Sequence, residues 1–376
     1  MTDPSANGAA TSGSPTPNAS RSPGGARPDW VTPGEGRRGG RRRSGRGRAE
    51  REMVPEAHFT SYYGRPVVKA SPWEADIPAY LFLGGLAAGS SLLGAGATAT
   101  GRETLRRSTH ITAAGAIGLS LAALVHDLGR PMRFINMLRV AKPTSPMSVG
   151  TWLLVGYGPL AMLAGAGELT GLLPKGLRDG WVGGLVRALR TPAGLGAATI
   201  APGVAAYTAV LLTDTATPTW FGARHYLPFV FVGSAAAASG GMGLIWAPTD
   251  EAGPALRLGA AGAISELAVA TVMEKRMGLL AEPLEQGKPG RLMKLARTFT
   301  ASGAAGAIAS RRVPGVAGRV LAAVSGASLV AGSACLRFGI FEAGQASAHD
   351  PKYTVVPQRE RLNAKLAAAE RPAAQR

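Results

Sequence analysis

Polar and apolar positions divide the chain sharply. The first seventy or so residues are polar, and long uncharged runs follow one another after them. The run at 77–101 contains no Asp, Glu, Lys or Arg and is long enough to cross about 30 Å of hydrocarbon. Comparable runs occupy 108–125, 143–167, 191–213 and 225–249. Three weaker ones follow: 258–273, interrupted by Glu266; 298–310, which is short; and 320–336. The pattern predicts an all-α, polytopic transmembrane helix bundle of about eight spans over 77–342. Before it come a disordered Arg/Gly/Ser/Pro-rich arm (1–52) and a juxtamembrane segment (53–76); a polar tail (343–376) follows. A β-barrel does not fit, because its strands would alternate apolar and polar, whereas these runs are apolar all round. A soluble bundle would need amphipathic outer helices, and few are visible.

Small residues recur within the spans. Gly85 and Gly89 form a GxxxG in the first, and Ala237 with Gly241 a small-xxx-small pair in the fifth. Both read as close helix packing, which lipid does not drive by a hydrophobic effect. Pro159 and Pro202 lie inside spans and are expected to kink them. Tyr62, Tyr63 and Trp73, just before the first span, suit the membrane interface.

Composition agrees with a membrane chain. Of 376 residues 46% are hydrophobic and 17% charged, with mean hydropathy +0.10. Net charge is +18, concentrated in Arg37, Arg38, Arg41, Arg42, Arg43, Arg46 and Arg48. Such a block can bind nucleic acid or anionic lipid, but without interleaved aromatics or a folded context it reads as a solvated arm that biases topology. No nucleic-acid partner is expected. The single cysteine, Cys335, excludes an intrachain disulfide and a Cys-ligated iron–sulfur cluster in this chain. The first 32 residues lack the apolar segment of a secretory signal.

Ionisable residues at membrane depth are costly, so each is a functional candidate. Glu74, Asp76 and Tyr80 open the first span; His126, Asp127 and Arg130 end the second. Asp214 ends the fourth span, Glu274 the sixth, and Arg337 with Glu342 the eighth. Alternating topology puts these ends on the face that carries the termini, with Glu168 on the opposite face and Glu266 within a span. A polar cluster at one face suits a quinone, whose carbonyl oxygens need donors and a group able to exchange protons. His126 beside Asp127 is the leading candidate, the carboxylate orienting the ring. Taken singly, each of these residues also reads as a helix anchor. Haem would require two facing histidines, and His126 with His225 is the one pair on a common face; both lie at the water boundary, which argues against haem.

Three stretches carry a family resemblance: AYLFLGGLAAGSSLLG, HDLGRPMRFINMLRVAKPTSPMSVGTW and FGIFEAGQASAHDPKYTVVPQR. They resemble the NrfD/PsrC family, the membrane subunits of polysulfide reductase-type molybdopterin complexes, over about residues 61–361. SYYGRPVVKASPWEADIPAYLFLGG is similar to the branch that accompanies formate dehydrogenase-like proteins. The resemblance implies a haem-free subunit, outside the catalytic centre, that exchanges electrons with menaquinone or ubiquinone. It implies as partners a multi-cluster iron–sulfur subunit and a molybdopterin catalytic subunit. The implied quinone pocket falls on Tyr80, His126, Asp127 and Arg130, with His126 and Asp127 as the reactive pair. Asp214, Glu266 and Glu168 are proton-transfer candidates by position.

The basic arm favours termini on the cytoplasmic side of the cell membrane. Several family members instead place the catalytic partner outside that membrane, beside the start of span one, and the two expectations conflict. A transporter built on helices broken around Pro159 and Pro202, with Glu266 in the membrane, is the competing reading. A purely structural anchor is a third.

Overall fold

The computed structural model describes residues 65–370 apart from 131 and 173. The arginine block, Tyr62 and Tyr63 lie outside the described residues. Among those described there are twelve α-helices and no strand. In chain order they are α1 (Asp76–Ala99), α2 (Glu103–Asp127), α3 (Arg133–Met137), α4 (Pro146–Leu169), α5 (Lys175–Arg178) and α6 (Trp181–Thr213). Then follow α7 (Pro218–Gly222), α8 (Leu227–Trp246), α9 (Gly253–Met277), α10 (Gly287–Ser310), α11 (Gly315–His349) and α12 (Lys352–Glu370).

Seven of these are long and apolar enough to cross a membrane: α1, α2, α4, α6, α8, α9 and α11, with α4 and α9 each extended by a 3₁₀ turn. An eighth long helix, α10, runs for 24 residues where a short span over 298–310 was expected. Its first half carries Lys288, Arg291, Lys294 and Arg297, which hid it from a count of apolar residues. The sixth span likewise reaches 25 residues despite Glu266. The last span continues to His349, and the polar tail is helical from Lys352. Helices α4 and α6 run unbroken through Pro159 and Pro202, so the discontinuous helices required by the transporter reading are not there.

Local chemistry sets the ends. Ser145 caps α4, accepting the Ser148 N–H at 3.5 Å, and Pro146 fills the first helical position. Gly129, at φ 65°, stops α2 and returns its N–H to the His126 carbonyl at 3.0 Å. That stop leaves His126 and Asp127 on the last turn, at the bundle's edge.

The long helices pack as two groups of four. Helices α1, α2, α4 and α6 pack as one group, and α8, α9, α10 and α11 as another; α8 joins the two by packing on α1 and α6. The first glycine pair is where the groups meet, and the second packs α8 on α11 within its own group. Gly89 of α1 has no room for a Cβ, because Ser239 and the Ala235 carbonyl of α8 fill that space. Gly241 of α8 is equally closed against the Gly326 carbonyl of α11. Ser239 secures the first contact by donating to the Leu86 carbonyl at 3.1 Å. Close backbone approach therefore holds the two groups together, as the GxxxG reading expected.

Candidate functional site at the ends of α1 and α2

Antiparallel packing of α1 and α2 brings the first turn of one beside the last turn of the other. His126 Nδ1 lies 2.7 Å from Asp76 Oδ2, with the His126 side chain 81% exposed and that of Asp76 35%. Asp127 turns toward the same helix start, where the backbone of Glu74 hydrogen-bonds it. Three carboxylates (Glu74, Asp76 and Asp127) thus gather around one imidazole at a membrane boundary. The partner that orients His126 is Asp76, one helix away, and not its sequence neighbour Asp127.

Tyr80 lies one turn into α1 and is only 2% exposed, packed in the apolar core of the first group. Its carbonyl accepts the Ser120 hydroxyl at 3.1 Å, which fastens α1 to α2 just inside the cluster. Arg130 stands exposed in the turn after Gly129. The structure therefore brings His126, Asp127 and Asp76 together, places Tyr80 beneath them in the core, and leaves Arg130 on the surface.

The start of α1 is held from a third side. Gln345 of α11 donates to the carbonyls of Ser71 and Trp73 at 3.0 and 3.1 Å. Trp73 stacks on Trp220 of α7 at 6.1 Å, so this aromatic packs on protein as well as lying near the interface. Three further carboxylates at this face are paired: Glu342 with Lys288 at 2.6 Å, Glu282 with Lys352 at 2.7 Å, and Glu274 with Arg297. Asp214 is exposed beyond the end of α6.

Two polar clusters lie deeper. Glu168, buried on α4, meets Arg106 Nε at 3.0 Å, His110 Nδ1 at 3.2 Å and Arg190 Nη1 at 3.4 Å. His110 is buried too, and its Nε2 has no partner. Glu266, buried on α9, accepts from Thr300 Oγ1 at 3.0 Å and keeps Oε2 unpartnered. Close enough to interact with it electrostatically is Arg337 of α11, which is 0% exposed. Arg337 donates to the Phe231 carbonyl at 2.8 Å and lies 3.6 Å over the Phe231 ring. The expectation that Arg337 ends a span is corrected: it lies well inside α11, buried against Phe231 of α8 and Gly85 of α1.

No group of three or more His, Cys, Asp or Glu side chains able to hold a metal occurs among the described residues.

Fold and site together define a polytopic helical membrane protein with a cluster of one histidine and three carboxylates at one end of its first helix group. A family model described as polysulphide reductase, NrfD, matches residues 67–284, more than half of the chain, and the chain belongs to that family. No curated protein matches it.

Proposed function

We propose that the protein is the quinone-reactive membrane subunit of a multisubunit oxidoreductase, with the quinone head group handled where α1 meets α2. The observation that carries this reading is the Asp76–His126 pair at a membrane boundary. NrfD proteins are in general quinone-interacting, and typically partner with iron–sulfur and molybdopterin subunits. The partners we propose are a multi-cluster iron–sulfur protein docked at this face and a molybdopterin subunit beyond it. The quinone is menaquinone or ubiquinone, drawn from the cell membrane, and the termini are cytoplasmic.

A quinone takes up protons with its electrons on reduction. Asp76 accepts from Nδ1–H and turns Nε2 outward; in its protonated, imidazolium form the ring donates Nε2–H to a quinone carbonyl oxygen and can pass that proton on. Asp127 supplies a second carboxylate beside that proton. Tyr80, beneath the cluster, is placed to give the opposite contact once the head group parts the α1–α2 boundary. Arg130, exposed on the adjoining turn, suits a contact with the docked partner. Of the three carboxylates considered for proton movement, Glu266 fits best, because it is buried with one oxygen free. Glu168 is held by two arginines and a histidine, and Asp214 is already in water.

The test is His126→Ala in the assembled complex. Quinone-dependent turnover should be lost, while assembly and activity with an artificial dye acceptor persist. Normal quinone turnover would remove the histidine from the mechanism.

A further inference from the structure

A groove of about 600 Å³ runs along the outside of the bundle between α2 and α8, with α1 behind it. Its walls are Leu86 of α1, Ile111 and Leu119 of α2, and Met242 and Trp246 of α8; Gly115 lies between them. The wall is almost wholly apolar and half open to lipid, with Leu119 62% and Trp246 59% exposed. At one end, on the face opposite the Asp76–His126 pair, stand Arg107, Thr104 and Ser108. Arg107 is exposed and has no ion-pair partner among the described residues, unlike its neighbour Arg106, which is bound to Glu168.

We propose that this groove is a binding site for one anionic phospholipid, its phosphate on Arg107 and one acyl chain lying along α2. Depth supports this. From Arg107 to Leu119 the helix advances about 18 Å, which matches the roughly 15 Å of hydrocarbon in one leaflet. The charged mouth therefore sits at head-group level and the closed end near the bilayer midplane. Trp246, beside the mouth, occupies the interfacial depth that tryptophan favours. Charge is complementary, since an unpaired guanidinium recognises phosphate through bidentate hydrogen bonds. Gly115 makes the channel, because a Cβ there would meet no atom within 4 Å. No acid or histidine lines the groove for a quinone head group; Glu251 is engaged at the start of α2, accepting from the Leu105 N–H at 2.8 Å.

The experiment uses the full chain, purified in a mild non-ionic detergent, with native mass spectrometry during titration with phosphatidylglycerol or phosphatidylcholine. Wild type should retain one phosphatidylglycerol in preference to phosphatidylcholine. Arg107→Glu should weaken that binding about tenfold, the scale of a lost charge-assisted contact. Gly115→Phe should abolish it by filling the groove, whereas Arg107→Lys and Gly96→Phe, which points a ring into open space elsewhere, should retain it. Arg107 is exposed, so its variants carry the test if Gly115→Phe does not fold. Equal retention of both lipids, binding unaffected by Arg107→Glu, or recovery of a quinone or another protein's helix from the groove would each overturn the proposal.

Discussion

Asp76 and His126 lie 50 positions apart in sequence and 2.7 Å apart in space, so the imidazole's orientation depends on a neighbouring helix. Asp76→Asn can still accept at one oxygen but can equally present its amide to the ring, which releases the tautomer. Quinone turnover is expected to fall at least about tenfold, by analogy with other orienting carboxylates, with assembly unchanged. Asp127→Asn should have the smaller effect; steady-state kinetics with a soluble quinone analogue would rank the two. Arg337 calls for a different test. Arg337→Met leaves Glu266 without its nearest cation and the Phe231 carbonyl without its donor. Removing one member of a buried charged set typically costs about 3 kcal/mol or more, so thermal unfolding in detergent should shift clearly downward. Adding Glu266→Gln to that variant should recover part of the loss; no recovery would show that the two side chains are not coupled.

At the scale of the helices, lipid made the spans readable and buried charge hid their ends. A helix facing hydrocarbon must be apolar all round, and that signal lies in composition alone. Ends drawn at the first charged residue came out short at Glu168, Arg190 and Arg337, where the helices continue and the charges turn inward. Nothing local in the sequence distinguishes such a residue from one that meets water; the distinction lies in a partner on another helix. The polar cluster at the ends of α1 and α2 was legible because both ends fall on one face. The Asp76 partnership was not, since it depends on how far α1 is rotated about its axis. The place of His110 beside Glu168 required the packing of α2 on α4. The close approach of α1 and α8 gives the prediction proper to this scale. Gly89→Leu should destabilise the protein by about 1–3 kcal/mol, the usual cost of overpacking, and reduce the yield of folded chain. Gly96→Leu, whose Cβ meets nothing within 4 Å, should be neutral and serves as the control.

The whole molecule pairs two groups of four helices, and the family match covers the first group together with α7, α8 and α9. If α10 crosses as well as the seven apolar helices, the chain returns to its starting face, and a cysteine placed at Lys69 should be labelled from the same side as one at Lys365. Cysteines at Asp250 and Arg312 should be labelled from the other side. Impermeant maleimides applied to sealed vesicles of both orientations, in a Cys335→Ser background, would decide it; discordant labelling at 69 and 365 would mean that α10 does not cross. The placement of Glu266 has a consequence for how the chain is made. When α4 leaves the ribosome, Arg106 and His110 are already in the membrane to receive Glu168. Glu266 has a weaker welcome: of the groups around it only the Ser234 hydroxyl of α8 precedes it, whereas Thr300 and Arg337 are both synthesised after it. A lone acid at mid-bilayer costs roughly 2.5–3.5 kcal/mol on insertion scales, enough to delay the release of α9 into lipid. The last three spanning helices should therefore enter the bilayer together, with α9 held at the insertion machinery until α11 arrives. Chains cut after Leu284 should be unstable in the membrane, and Glu266→Leu should rescue them.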